Sequence, residues 1–330
     1  MEEFRSIAFV SAFVIIMFII TFIFCRRISS YSRKEKESTE NDDKMTELNE
    51  AHFGKDEIGD LVKSFNSMET ALAKQMEDIA VMSAERERTH AELSVATRIQ
   101  ADMLPTDFPE RGDLSLFAAM TPAKEVGGDF YDFFMTDDDH IGLVMADVSG
   151  KGVPAALFMV IAKTLIKNRA EMGGTPAGIL ESVNDQLCEN NASGLFVTVW
   201  FGILEISTGK MNVCNAGHEY PALRRKDGEF ELIRSEQLPP LAAMEGMEYE
   251  NMEIDLNKGD ELFLYTDGVP DAKNASGGHL GMDKMLEILN RYKGLPLEEQ
   301  VGSMKREIDE FTGGGDPFDD ITMLMVRLNA

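Results

Sequence analysis

Four stretches of this chain put an aspartate where a short apolar run meets a turn. EVGGDFYD sets Asp129 behind a double glycine, LVMADVSGKG ends an apolar run at Asp147, ELFLYTDGV does the same at Asp267, and DPFDDITMLMV places Asp319 and Asp320 directly before another run. One such Asp is usually a turn former, because Asp and Gly end strands for local reasons. Four together call for a chemical reading. Hard divalent cations such as Mg²⁺ and Mn²⁺ take oxygen ligands in octahedral array, and carboxylates converging from neighbouring strand ends can hold two of them. Such a pair lowers the pKa of a shared water and clamps a phosphoryl group for in-line attack. The Gly127-Gly128-Asp129 corner has a second reading, the turn of a nucleotide cyclase whose backbone lies against phosphates.

Other chemistries fail on inspection. None of Cys25, Cys188 and Cys214 has an Arg after five intervening residues, as a cysteine phosphatase needs, and none has disulfide or metal spacing; Cys188 and Cys214 read as small buried residues. No Asp-x-Asp-x-Thr run occurs, and Gly150-Lys151 lacks the earlier glycine of a Walker loop. His218 in NAGHEYP is read as a turn histidine before a general acid, and Trp200 as core. Lys and Arg total 32 against 58 Asp and Glu, a net charge of -26, which opposes nucleic acid as a ligand. Most of those acids belong to solvated surface.

The corners need strands to carry them. Apolar runs at Ser115–Met120, Asp132–Met135, Ile141–Ala146, Thr198–Ile206, Lys210–Asn215, Ala222–Arg225, Glu229–Ile233, Glu261–Thr266 and Ile321–Leu328 read as strands. Helices are predicted from Pro154 to Ala170, from Pro176, capped by Thr175, to about Glu189, and from Pro296 to Phe311. Strands flanked by helices indicate one α/β or α+β domain around a packed sheet. Before it, a heptad runs Ile58, Leu61, Phe65, Met68, Leu72, Gln75, Ile79, Met82, apolar at seven of eight positions; it weakens at Arg86 and Thr89, continues through Leu93, Ala96, Gln100 and Met103, and stops before Pro105. Such a seam implies a helical coiled-coil linker and a homodimer. Asp56 to Leu72 resembles the second helix of a HAMP signalling module, with Asp-Glu-Ile-Gly at 56–59 and Phe65, Asn66 and Met68; residues 28–50 lack a matching apolar stripe.

ERERTHAELSVATRIQADMLP, VGGDFYD, ADVSGKGVPAALFM, NAGHEYP, LYTDGV and DDIT follow one another in an order that resembles the SpoIIE/RsbU-like branch of the PPM (type 2C-like) metal-dependent serine/threonine phosphatases, over about three quarters of the chain. That resemblance implies a two-sheet β-sandwich flanked by helices and a dinuclear Mn²⁺ or Mg²⁺ centre. It assigns Asp147 to bridge both ions with help from the Val148 carbonyl, Asp129 to one ion, and Asp267 with Asp319 to the other. Asp320 stands where the wider superfamily often has Asn, which makes it either a ligand or an acceptor that supports the ligands, and Asp132 is a candidate to support a ligand rather than bind. The basic phosphate-gripping residue of many relatives has no counterpart, which leaves substrate phosphate to the ions and to Lys151. The implied substrate is a phosphoserine or phosphothreonine on a STAS-domain antagonist of an anti-sigma factor, in bacterial signalling. Two alternatives are a diguanylate-cyclase-like enzyme, which would need an acid where Phe130 stands, and a non-catalytic signalling scaffold, against which the intact acidic set argues.

The implied organisation is an anchor at 1–25, a HAMP-like segment at 26–76, a helical linker at 77–105 and a phosphatase domain at 106–330. Ile7 to Phe24 is a run of 18 apolar or small residues, enough to span a bilayer as a helix. Arg26, Arg27, Arg33, Lys34 and Lys36 follow, and a cationic flank stays on the cytoplasmic side. The expectation is a single-pass protein of the inner membrane, in contact with lipid through residues 7–24, with its catalytic domain in the cytoplasm. The whole chain should then sediment with membranes and resist extraction by high salt or carbonate, and removal of the first 25 residues should release it. Recovery of the intact chain in the soluble fraction would count against the anchor.

Overall fold

In the computed structural model, which describes residues 57–329 apart from 109–110, 190, 237 and 316, the apolar runs pair into two antiparallel sheets. The order is α1 (Glu57–Met103), β1 (Leu114–Thr121), β2 (Phe130–Met135), β3 (His140–Val148), α2 (Val153–Glu171), α3 (Pro176–Glu189), β4 (Val197–Glu205), β5 (Lys210–Ala216), β6 (Ala222–Arg224), β7 (Phe230–Leu232), β8 (Met252–Asp255), β9 (Glu261–Tyr265), α4 (Met282–Tyr292), α5 (Leu297–Thr312) and β10 (Ile321–Leu328). One sheet runs β1-β10-β9-β6-β7, the other β2-β3-β4-β5-β8. Helices α4 and α5 cover the first, α2 and α3 the second.

Strand alternation divides the core. Leu262 and Leu264 of β9 face the interior shared by both sheets, whereas Phe263 and Tyr265 face the layer under α4 and α5. Across the ladder, Leu264 stands opposite Leu324 and Phe263 opposite Met325. Burial on both faces is why ELFLY and ITMLMV are unbroken apolar runs. Two elements escaped the sequence reading. The strand β8 is a four-residue edge, MEID, with two acids. Helix α4 starts after Gly281, with no side-chain cap to announce it. At α3 the anticipated cap is present: the Gly178 N–H donates to Thr175 Oγ1 at 3.4 Å.

The long helix α1 is 47 residues. Phe65, Met68, Leu72, Ile79 and Met82 of its seam are each more than half exposed. From Ser83 onward the chain forms one compact unit, and the last turns of α1 serve it rather than extend the seam. Gln100, buried, donates from Nε2 to the Gly127 carbonyl at 2.6 Å and accepts from the Gly127 N–H at 3.1 Å. Thr97 donates its hydroxyl to the Glu125 carbonyl. The anchor at 7–24 and the first half of the HAMP-like segment lie outside the described residues. No helix among the described residues is long and apolar enough to cross a membrane.

At the end of the sandwich where the acidic corners lie, His218 ties the sheets together. Its Nε2–H donates to the carbonyl of Tyr265, in the first sheet, at 3.1 Å, which fixes the tautomer. Its Nδ1 then accepts from the hydroxyl of Thr198, in the second sheet, at 2.9 Å. Burial lowers its pKa to about 4, although the Tyr265 carbonyl acts the other way. The unfolded chain's histidine titrates near 6.5, so the folded state excludes a proton between the two values. That stability is complete above about pH 6.5 and is lost as pH falls through about 4, roughly 3 kcal/mol in all. His218→Gln has no such proton. Its Tm should start lower near neutral pH and fall less steeply on acidification; parallel Tm profiles for the two proteins would refute this role.

Candidate metal centre

All four acidic corners reach the same end of the sandwich. Asp129 enters β2, Asp147 and Val148 close β3, Asp267 follows β9, and Asp319 and Asp320 precede β10. Cross-strand register sets Phe130 opposite Ala146 and Tyr265 opposite Met323. The second sheet thus supplies Asp129 and Asp147, and the first supplies Asp267 and Asp319.

Asp129 is buried, and its Oδ2 accepts from the hydroxyls of Thr266 and Thr322, each at 2.6 Å. Both threonines belong to the first sheet's corners, so Asp129 is a second tie between the layers. Burial raises its pKa well above the usual carboxylate value, and the charges of Asp147 and Asp320 add to this. Asp147 is pushed up to about 7, by burial first and then by Asp267, with a hydrogen bond from Asp129 pulling the other way. Burial and the charge of Asp319 raise Asp267.

Asp320 has both carboxylate oxygens engaged by backbone amides. Its Oδ1 accepts from the Ala123 N–H at 2.7 Å, and its Oδ2 from those of Gly128 at 2.8 Å and Asp129 at 3.4 Å. The carboxylate is spent on backbone, holding the EVGGDFYD corner against β10. This explains the double glycine. Neither Gly127 nor Gly128 has positive φ; both are required by close approach. A Cβ on Gly127 would stand 2.2 Å from Asp320 Oδ2, and one on Gly128 would stand 2.8 Å from the Val148 carbonyl oxygen. The N–H groups a phosphate would need are taken, that of Gly127 by Gln100 and that of Gly128 by Asp320, which argues against the nucleotide-cyclase reading of this corner. Gly268 follows the same rule, since a Cβ there would lie 1.9 Å from the Asp320 carbonyl oxygen.

Asp132 is bound in a buried ion pair with Lys163 of α2 at 2.6 Å, fastening the helix after the Asp147 corner to β2. Asp319 pairs with Lys151 Nζ at 2.7 Å. Sequence reasoning missed Thr266, Thr322 and Gln100. The threonines sit inside LYTDGV and DDIT, and Gln100 is a polar residue in an apolar register. A cavity of about 160 Å³ lies at the opposite strand ends, among His140, Glu205, Lys210 and Glu253, away from the acids.

Among the described residues no three acidic, histidine or cysteine side chains stand close enough to hold one ion as they are. The donors nevertheless suit hard cations. They are all oxygens, and Asp129, Asp147 and Asp267 are raised by each other's or their neighbours' charge as well as by burial, so added positive charge relieves them. With Lys151 on Asp319, drawing that carboxylate in requires the lysine to yield.

Residues 137–329, more than half of the chain, match the family described as Stage II sporulation protein E (SpoIIE). Protein IcfG of Synechocystis is 29% identical over 307 residues, 83% of this chain and 46% of that protein. Phosphoserine phosphatase RsbU of Bacillus subtilis is 30% identical over 189 residues, 57% of this chain and 56% of that one. The chain therefore spans about half the length of these curated relatives. Among solved structures, the SiaA-PP2C domain of Pseudomonas aeruginosa superposes with a TM-score of 0.66 at 24% identity, covering 75% of this chain and 99% of that domain. Sequence and fold agree: the chain belongs to the SpoIIE family, and its fold is that of the SiaA PP2C domain.

Proposed function

We propose that this protein is a Mn²⁺- or Mg²⁺-dependent serine/threonine protein phosphatase of bacterial signalling, acting on a phosphorylated STAS-domain antagonist of an anti-sigma factor. The observation that carries the reading is the gathering of Asp129, Asp147, Asp267 and Asp319 from two sheets at one end of the sandwich. A relative named as a phosphoserine phosphatase supports the reaction class.

In this reading Asp129, Asp147, the Val148 carbonyl, Asp267 and Asp319 hold two ions. When bound, they supply an activated water and neutralise phosphoryl charge. Everything else is the work of the chain. Thr266 and Thr322 orient Asp129 by donating to one of its oxygens, Asp320 fixes the backbone of Gly128 and Asp129, and His218 holds β4 and β9 at the spacing that brings Asp147 opposite Asp267. Lys151 supplies a cation beside Asp319. The exposed seam from Phe65 to Met82 supports a parallel homodimer, since apolar residues at heptad spacing associate by burying that stripe. Membrane attachment through residues 7–24 completes the proposal.

With excess chelator, turnover of a phosphoserine protein by the full chain in detergent should vanish and return on adding Mn²⁺. Asp147→Asn and Asp267→Asn should each lower kcat by at least about 100-fold, a loss matching several kcal/mol of transition-state stabilisation, while the far-ultraviolet spectrum is unchanged. Full activity in chelator, or in both variants, refutes the mechanism. Light scattering tests the seam: the full chain should weigh two copies, and Leu72→Glu with Ile79→Glu should halve the mass.

A further inference from the structure

The corners after β3, after β9 and before β10 each send one more residue to a common spot. Lys151 lies four positions beyond Asp147, Lys273 six beyond Asp267, and Phe318 one before Asp319. Lys273 Nζ is 3.4 Å and Lys151 Nζ 4.7 Å from the centroid of the Phe318 ring. The ring is 61% exposed. Lys151 also donates to the Phe318 carbonyl at 2.7 Å and pairs with Asp319.

Chance does not readily produce this arrangement. Two ammonium groups brought to one ring repel each other, and a ring so exposed gains little from burial. The chain carries a net charge of -26, so an acidic phosphorylated protein approaching it is repelled at long range. A local cationic rim beside the acids offsets that repulsion where it matters. Lysines suit the task as mobile point charges on phosphate. EVGGDFYD, LVMADVSGKG, ELFLYTDGVPDAK and DPFDDIT contain no arginine, so these two lysines are the cations that the corners provide.

We propose that Lys151, Lys273 and Phe318 form a docking rim for an acidic, phosphoserine- or phosphothreonine-bearing protein segment. Lys151, nearest the acids, meets the phosphate; Lys273 meets acidic side chains flanking it; and the Phe318 ring carries the adjoining apolar stem. The inference deepens the phosphatase reading and rests on it.

The test uses the full chain in detergent at saturating Mn²⁺, with phosphorylated casein, whose phosphoserines have acidic neighbours, and p-nitrophenyl phosphate, which has none. The Lys273→Glu, Phe318→Ala double variant should raise KM for casein about tenfold while kcat stays within about twofold, and the increase should shrink at high salt. Its kcat/KM for p-nitrophenyl phosphate and its half-activating Mn²⁺ concentration should stay within about twofold of the parent. Lys151→Met should raise KM for both substrates. An unchanged KM for casein in the double variant overturns the rim and leaves the phosphatase reading standing. So does an equal loss on both substrates with a shifted Mn²⁺ requirement, which would mean that the residues merely shape the corner. Absence of Mn²⁺-dependent turnover of either substrate by the parent overturns the phosphatase reading, and the rim with it.

Discussion

The architecture answers to one constraint: carboxylates from two separate sheets must be held near one another although each repels the rest. Burial first, and then the charge of Asp267 from the other sheet, pushes Asp147 up to about 7. A sandwich held only by apolar packing between its layers would relax by letting the sheets part at this end. It is prevented by polar ties that cross between layers. Thr266 and Thr322 reach from one sheet to Asp129 in the other, and His218 spans Thr198 and Tyr265. Asp320 adds three backbone amides to its carboxylate. The ties to Asp129 and the His218–Tyr265 bond are buried, where hydrogen bonds are strong and their loss is costly.

How much of this was legible depended on whether a residue's signal is local. The acidic corners were visible because an apolar run followed by Asp and Gly announces itself in a few residues. Nine of the strands were legible for the same reason, whereas β8 was not, since an edge strand with one face in water need not be apolar. The crossing ties were invisible. Thr266 reads as one more β-branched strand residue until Asp129, far away in sequence, is placed beside its hydroxyl. The sequence pattern suggested a tight turn for Gly127 and Gly128, but the Asp320 carboxylate and the Val148 carbonyl reveal a demand for space. Asp319 and Asp320 look alike as neighbours, yet one pairs with Lys151 and the other faces backbone.

Helix α1 divides its work along its length. Its early seam presents apolar residues to solvent, while its last turns give Gln100 to the Gly127 backbone. Gly127 lies two residues from Asp129. A small rotation of that helix end would be felt at the carboxylate, because the side-chain amide grips the corner by both its donor and its acceptor.

Strand β10 is the last of the described elements, and it pairs with β1, about two hundred residues earlier, as well as with β9. It also carries Thr322 and follows directly on Asp319 and Asp320. The first sheet therefore closes only when β10 inserts between β1 and β9, which joins strands far apart in sequence. The acidic corner is completed by that same insertion. Without β10 the first sheet loses the strand that joins β1 to β9, together with Thr322 and the two carboxylates just before it, and is left with exposed edges.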